Sequence, residues 1–141
     1  MNRARLAILS LVALAACGRT PPAAPSAVDG WLRLAPPGAN ASAGYLRLRN
    51  PTAQTLRCDR VVSTDFGAAE LHRSVIEDGR SRMLRDQVIE VPPHGEAELA
   101  PGGYHLMLFR PQRDLAEGDT VQVTLHCGER TVDAVLGVRK A

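Results

Sequence analysis

The sequence predicts a single antiparallel β-sandwich or barrel domain, on three observations. Short segments alternate apolar and polar residues with a period of two, which is typical of half-buried strands. Glycine, proline and asparagine separate these segments at short intervals, as turns between strands require. Beyond the first 16 residues, no stretch of helical length shows a clean period of 3.6. Many short strands with frequent turns favour a sandwich or barrel.

The predicted strands follow one another from residue 30 to residue 138. Leu46 and Leu48 alternate with arginines before Asn50, and the segment after residue 120 alternates in the same way. The predicted segments are residues 30–34, 46–49, 55–62, 69–76, 97–99, 104–109, 121–126 and 132–138. Because only 4% of the residues are aromatic, leucine, valine and alanine must form most of the core.

The N-terminal residues predict an export signal. Arg3 and Arg5 precede an apolar run over residues 6–16, which is shorter than the roughly 20 apolar residues that span a bilayer. The run ends in two alanines before Cys17, which is typical of the processing box of bacterial lipoproteins, where the cysteine thiol is the lipid attachment point. The alternative is a plain secretory signal followed by a chance cysteine.

This signal predicts four parts of the chain and a location. The parts are a lipoprotein signal peptide at 1–16, a lipid-anchored flexible tether at 17–27, the β-sandwich domain at 28–138 and a short tail at 139–141. The domain is expected in the periplasm, held to a membrane by the lipid. Gly18 follows the lipidated cysteine, where some bacteria use aspartate to retain lipoproteins at the inner membrane, so the outer membrane is slightly favoured.

The charge balance argues against a nucleic-acid partner. The chain has 17 basic and 15 acidic residues, and two of the basic residues, Arg3 and Arg5, belong to the predicted signal. Basic and acidic residues are therefore equal in number after cleavage, and no basic cluster remains. Nucleic-acid binding loses its electrostatic basis.

Two cysteines remain once Cys17 is lipidated, namely Cys58 and Cys127. Both lie in predicted strands of an exported domain, where disulfides persist, so we predict that they form a disulfide. Two buried free thiols, or two thiolate metal ligands, are the alternatives. No pair of cysteines has the two-residue spacing of thioredoxin-like redox motifs.

Strand parity separates a histidine and a methionine from the apolar core. His105 and Met107 are two residues apart in a predicted strand, so they share one face. Leu106 and Leu108 point to the opposite face, which is the expected core face. The histidine–methionine face is therefore expected to lie away from the core.

A second predicted strand repeats this arrangement at His72. Leu71 and Val75 share one face, and His72 lies on the less apolar face. Met83 lies in a hydrophilic stretch after this strand, where a core methionine is not expected. Glu70 and Tyr104 are candidates to orient a metal-bound imidazole, as outer partners of metal ligands commonly do.

Imidazole and thioether groups together favour a soft metal ion. Thioethers are neutral and soft, and they select Cu(I) over harder divalent ions. Zinc would normally seek thiolate, imidazole or carboxylate ligands, and calcium or magnesium would need oxygen ligands. The alternative to a metal site is that these residues have no ligand role. A lone histidine on a strand is more often a surface residue, and a lone methionine more often fills space in the core.

The spacing of these residues resembles the motif of the PCuAC family of periplasmic copper chaperones. Ten residues separate His72 from Met83, twenty-one separate Met83 from His105, and one separates His105 from Met107. The segments at 70–72, 79–83 and 99–108 resemble the family's flanking segments, as do those at 31–33 and 43–45. The resemblance covers nearly the whole domain, roughly residues 28–138. Arg73 is a departure, because many members have methionine there.

The resemblance implies a fold, a metal and a role. The fold is a cupredoxin-like, immunoglobulin-like β-sandwich. The metal is Cu(I), held near the surface by His72, Met83, His105 and Met107. The role is that of a chaperone that passes copper to a copper-accepting protein, either a cytochrome c oxidase subunit, for the Cu(A) centre, or another assembly chaperone.

Two other functions are compatible with the sequence. One is a copper storage or resistance lipoprotein with the same ligands, and the other is a non-metal module that scaffolds an envelope complex. We do not expect an enzyme, because no nucleophile and base can be paired from the sequence. Four protein ligands would also leave the metal no open coordination position for catalysis.

Overall fold

The computed structural model describes residues 22–140, which form eleven strands joined by turns and loops, without a helix. The strands are β1 (Ser26–Arg33), β2 (Ala41–Asn50), β3 (Leu56–Cys58), β4 (Arg60–Val62), β5 (Phe66–Glu77), β6 (Arg80–Leu84), β7 (Ile89–Val91), β8 (Gly95–Leu99), β9 (Tyr104–Pro111), β10 (Thr120–Cys127) and β11 (Arg130–Arg139). The all-β prediction is confirmed. Within residues 22–140 no helix is long and apolar enough to cross a bilayer.

Nine strands form one sheet in the order β4-β10-β11-β1-β2-β9-β5-β6, and β8 also pairs with β2. The first half of β2 pairs with β9 and its second half pairs with β8. Strands β3 and β7 form a separate two-stranded sheet. Strand β1 pairs in parallel with β11, which differs from the purely antiparallel arrangement that we predicted. These strands lie at opposite ends of the domain sequence, so no short hairpin turn forces them to be antiparallel.

The core is a single cluster of buried side chains drawn from both the large sheet and the small β3–β7 sheet. Leucine and valine dominate it, as the low aromatic content predicted. Gly44 on β2 permits close packing across the core. A Cβ atom at Gly44 would lie 3.0 Å from the Leu136 side chain of β11 and 3.3 Å from that of Leu106 on β9. A larger residue there would push these strands apart.

Four strands differ from the sequence prediction. The segment predicted over residues 55–62 is interrupted at Asp59, so β3 and β4 belong to different sheets. Strands β6 and β7 were not predicted at all. Strand β6 is polar and largely exposed at the edge of the sheet, so it shows no apolar alternation. Strand β7 has only three residues, too few for a periodic pattern.

The strands extend beyond the predicted domain bounds at both ends, and the two cysteines of the domain are paired. Strand β1 begins at Ser26, inside the predicted tether, and β11 runs to Arg139, inside the predicted tail. The predicted signal peptide and Cys17 lie outside the described residues. Cys58 at the end of β3 is joined by a disulfide to Cys127 at the end of β10.

Candidate metal centre

The four predicted ligands share one face of the large sheet. His72 on β5 is directly opposite His105 on β9. Met107 follows His105 by two residues on the same strand, so both side chains leave the same face. Met83 on β6 is directly opposite Ser74, which follows His72 by two residues on β5. Because paired residues of antiparallel strands share a face, Met83 joins the other three.

A two-residue turn sets the position of Met83. Asp78 and Gly79 connect β5 to β6, with φ of 50° and 73°. Positive φ at both central residues defines a type I′ turn, for which Asp-Gly is a preferred sequence. This turn pairs Glu77 with Arg80 and thereby places Met83 opposite Ser74. A shift of one residue would turn the thioether to the other face.

The two histidines are buried, although the prediction was of four ligands that hold a metal near the surface. His72 and His105 are each 3% exposed, and their ring centroids are 5.8 Å apart. Two aromatic side chains lie beside the histidine rings. Tyr45 lies 6.4 Å from the His105 ring, and Phe109 lies 6.3 Å from the His72 ring.

The methionines extend from this buried pair towards solvent. Met83 is 52% exposed, and Met107 is partly buried. The chain contains only one other methionine, Met1, in the predicted signal. Both methionines of the predicted domain therefore lie on the face that carries the buried histidine pair.

A carboxylate sets the protonation of the His72 ring. The Nε2 atom of His72 lies 2.7 Å from Oε2 of Glu70. An ionised carboxylate only accepts hydrogen bonds, so Nε2 carries the hydrogen and Nδ1 of the neutral ring keeps its lone pair. The hydrogen bond from His72 and the guanidinium of Arg85 hold the pKa of Glu70 below its ordinary value, against the opposing effect of desolvation. Nδ1 of His72 is buried and has no hydrogen-bond partner.

A backbone carbonyl sets the protonation of the His105 ring. The Nδ1 atom of His105 donates to the carbonyl oxygen of Gly103, 3.0 Å away. The turn before β9 holds that carbonyl: Pro101 and Gly102 occupy its centre, and Gly103 N donates to Ala100 O at 3.0 Å. Nε2 of His105 therefore keeps its lone pair, and it too is buried without a partner.

These two nitrogen atoms are the only buried side-chain polar atoms without a hydrogen-bond partner among the described residues. Buried polar groups are normally paired, so two adjacent exceptions call for an explanation. Each offers an unshared electron pair, which a metal ion can accept. Within residues 22–140 no group of three or more histidine, cysteine or acidic side chains could hold a metal ion. A metal bound by this pair would therefore need other donors, and the thioethers of Met83 and Met107 lie on the same face.

The cysteines and the two other histidines do not join the site, whereas the candidate outer partner Glu70 does. Cys58 and Cys127 are joined to each other, which excludes the thiolate-ligand alternative for this form of the protein. His94 is exposed in a turn, and His126 accepts a hydrogen bond from Arg60 at 3.0 Å. Glu70 contacts His72, as expected of a residue that orients this imidazole.

Tyr104, the other candidate outer partner, is covered by the Arg73 guanidinium, 4.9 Å from its ring centroid. Sequence reasoning missed Arg85, which donates to both carboxylate oxygens of Glu70 at 2.9 Å. Arg85 lies fifteen positions after Glu70, so only the return of the chain along β6 brings them together.

Comparison with known sequences identifies a family and two relatives. The family model described as "Putative lipoprotein LpqE-like" matches residues 26–135. An uncharacterized protein of Rickettsia prowazekii is 28% identical over 91 residues, covering 64% of this chain and 50% of that protein. "Putative lipoprotein Lxx21020" of Leifsonia xyli subsp. xyli is 27% identical over 106 residues, covering 74% of this chain and 63% of that protein. The matches thus span about half to two thirds of these relatives.

Comparison with solved structures identifies the fold. The copper-bound PCuAC domain from PmoF2 superimposes with a TM-score of 0.67 at 23% identity, covering 82% of this chain and 92% of that domain. The apo PCuAC domain from PmoF1 gives 0.66 at 21% identity, covering 79% and 90%. Apo-DR1885 from Deinococcus radiodurans gives 0.57 at 21% identity, covering 100% and 97%. The predicted PCuAC-like β-sandwich is therefore confirmed.

Proposed function

This chain belongs to the LpqE-like family and has the fold of PCuAC domains, and on that premise we propose that it carries Cu(I) to a partner protein. One observation supports the proposal above all others. Two adjacent buried histidines each leave one ring nitrogen without a hydrogen-bond partner, on the sheet face that also carries both methionines of the domain. Two of the structures with this fold are described as copper-bound PCuAC and CuI-DR1885, so copper binding occurs within the fold.

The proposed ligands are His72, Met83, His105 and Met107. Two neutral imidazoles and two thioethers form a soft donor set without charge, which suits Cu(I) better than a divalent ion. Thioethers are also not consumed by disulfide formation in an oxidising compartment, unlike a pair of thiols. Copper is the cargo of this site, so its binding must be reversible.

The proposed ligands differ in solvent exposure, and this difference suits transfer of copper to an acceptor protein. The histidines are 3% exposed and held by Glu70 and Gly103, whereas Met83 is 52% exposed on the edge strand β6. An acceptor's ligand can therefore approach from the Met83 side and replace that thioether first. The metal would then leave by stepwise ligand exchange, and the buried histidine pair would release it last.

The lipoprotein description of the family supports a location at a membrane. We propose that Cys17 carries the lipid and that the domain lies in the periplasm, with the outer membrane slightly favoured. We propose a copper-accepting protein as partner, either a cytochrome c oxidase subunit, for the Cu(A) centre, or another assembly chaperone. In a deletion strain grown at limiting copper, we expect loss of oxidase activity. Copper sensitivity with normal oxidase would instead indicate storage or resistance.

Competition of the purified domain against a Cu(I) chelator tests the metal site. We expect one Cu(I) per chain, with two sulfur and two nitrogen neighbours by X-ray absorption. The Met83→Ala/Met107→Ala double variant should lose most of this affinity. The matched control is His94→Ala/His126→Ala, which removes the two histidines outside the site. Unchanged affinity in the methionine double variant would contradict the ligand assignment, and indifference of the wild-type domain to copper would contradict the function.

A further inference from the structure

We propose that the two histidines bind copper through opposite ring nitrogens, His72 through Nδ1 and His105 through Nε2, and that Glu70 is the positioning residue that enforces this choice at His72. The inference rests on the proposed function for its metal, but its basis is the hydrogen bonding of the metal-free protein. One imidazole is held by a carboxylate and the other by a backbone carbonyl, at different ring atoms.

The choice at His72 follows from what surrounds Nε2. Oε2 of Glu70 lies 2.7 Å from Nε2, and a carboxylate can only accept the hydrogen that this nitrogen carries. Nε2 is therefore occupied, and binding copper there would break the contact and leave the carboxylate without its buried donor. Nδ1 is free of hydrogen and of any partner, so it can bind a metal with no rearrangement of the ring.

Arg85 keeps Glu70 in place. Its Nη2 atom donates to both carboxylate oxygens at 2.9 Å, and its Nε atom lies 3.2 Å from Oε2. The Glu70 side chain is 27% exposed, whereas that of Arg85 is 65% exposed. The guanidinium thus clamps the carboxylate from the solvent side while the imidazole contacts it from the protein side. Such outer partners fix the tautomer and orientation of metal-bound histidines.

The free nitrogen of His105 is the opposite one, because the hydrogen-bond partner of this ring is a backbone carbonyl and not a carboxylate. The carbonyl of Gly103 accepts from Nδ1, which leaves Nε2 as the free nitrogen. The same carbonyl accepts the backbone N–H of Ser74 at 3.0 Å, so it is fixed between β5 and β9. Two histidines that are directly paired across strands thereby present different nitrogens. The pairing of the two strands therefore does not determine which ring nitrogen is free. The hydrogen-bond partner of each ring does.

Nitrogen-15 NMR of the histidine rings tests the inference on the whole domain. In the metal-free wild type we expect hydrogen on Nε2 of His72 and on Nδ1 of His105. After one equivalent of Cu(I), the resonances of Nδ1 of His72 and Nε2 of His105 should shift, and the protonated nitrogens should keep their hydrogens. Copper on Nε2 of His72 or on Nδ1 of His105 would overturn the inference and leave the proposed function intact. Failure to bind Cu(I) at all would overturn both.

Three variants separate positioning from folding. Glu70→Ala should give a mixture of His72 tautomers and lower the Cu(I) affinity about tenfold to a hundredfold. Glu70→Gln keeps an acceptor oxygen, so it should restore the single tautomer and most of the affinity. Glu90→Ala removes another exposed carboxylate that pairs with an arginine, Arg57, and should change neither property. A single, unchanged His72 tautomer in Glu70→Ala, with affinity within twofold of wild type, would overturn the role of Glu70.

Discussion

Two buried polar groups in this domain differ in whether their hydrogen bonds are complete. Asn50, at the end of β2, is 1% exposed, and its Nδ2 atom lies within 3.1 Å of the carbonyl oxygens of Gln54, Val91 and Pro92. Its Oδ1 atom accepts from both the N–H and the hydroxyl of Thr52. Every polar atom of this side chain is paired, as is usual for a structural residue.

The histidine pair is equally buried but incomplete. His72 and His105 each use one ring nitrogen and leave the other without a partner, although both rings are 3% exposed. Burying an unpaired polar atom costs free energy, so stability alone does not explain the pair. The comparison suggests that burial by itself does not distinguish a structural polar residue from a ligand, whereas completeness of hydrogen bonding does. The following experiments, in decreasing order of expected effect, test this distinction.

Removing the disulfide should affect stability and spare the metal site. Cys58 and Cys127 join the small β3–β7 sheet to β10, at a sequence separation of 69. His72 and His105 lie on β5 and β9, which pair with neither β3 nor β10. By the chain-entropy model, the Cys58→Ala/Cys127→Ala variant should lose about 4 kcal/mol of unfolding free energy. Urea denaturation measures this loss, and copper competition should show affinity within twofold of wild type. A folded variant with tenfold weaker copper binding would contradict the separation of the two regions.

Truncating Asn50 should have a similar but smaller effect. Asn50→Ala leaves the carbonyls of Val91 and Pro92 and the N–H of Thr52 without their side-chain partner. We expect a loss of about 3 kcal/mol in unfolding free energy, since each buried group left unpaired costs about 1–3 kcal/mol. Gln54→Ala is the control, because only the backbone of Gln54 takes part in the network. Equal denaturation midpoints for the two variants would show that Asn50 is not the structural residue that its contacts indicate.

Replacing a histidine of the pair should weaken copper binding and leave the stability of the metal-free protein nearly unchanged. His105→Leu removes a buried nitrogen that has no partner, and Gly103 O keeps the hydrogen bond from Ser74. We therefore expect the metal-free stability to stay within about 1 kcal/mol of wild type. Cu(I) affinity should fall at least about a hundredfold, the upper range for loss of an outer partner alone. Large destabilisation with retained affinity would mean that His105 is structural, and His94→Leu serves as the exposed control.

The smallest effect is expected at the turn that positions Met83. Gly79 has φ of 73°, a conformation that costs a β-branched residue about 1–2 kcal/mol. Gly79→Val should lower stability by that amount and weaken Cu(I) binding a few-fold, because β6 would no longer hold Met83 opposite Ser74. Gly79→Asn is the matched control, since asparagine tolerates positive φ. If both variants bind copper like wild type, the register of β6 does not matter for the site.

Much of the fold was predictable because strand alternation is a local property. Leu106 and Leu108 alternate with His105 and Met107, and the structure buries both leucines completely while placing the other two side chains on the opposite face. Strand β6 was not predictable in this way, because an exposed edge strand needs no apolar face. The parallel pairing of β1 with β11 was also beyond the sequence, since no local turn determines it.

The sequence by itself determined the donor types, their spacing and their parity along each strand, because backbone geometry alternates side chains with a period of two. Only the tertiary structure decided which nitrogen of each histidine is free. That choice depends on a carboxylate clamped by Arg85 in one case and on a turn carbonyl in the other. It also decided that the histidines are buried beside aromatic side chains while Met83 stays exposed. Glu70 and Gly103 are only two residues from their histidines, but Arg85 is fifteen positions from Glu70, and Tyr45 and Phe109 are farther still from the histidines that they approach. These longer-range contacts follow from strand register and packing rather than from local pattern.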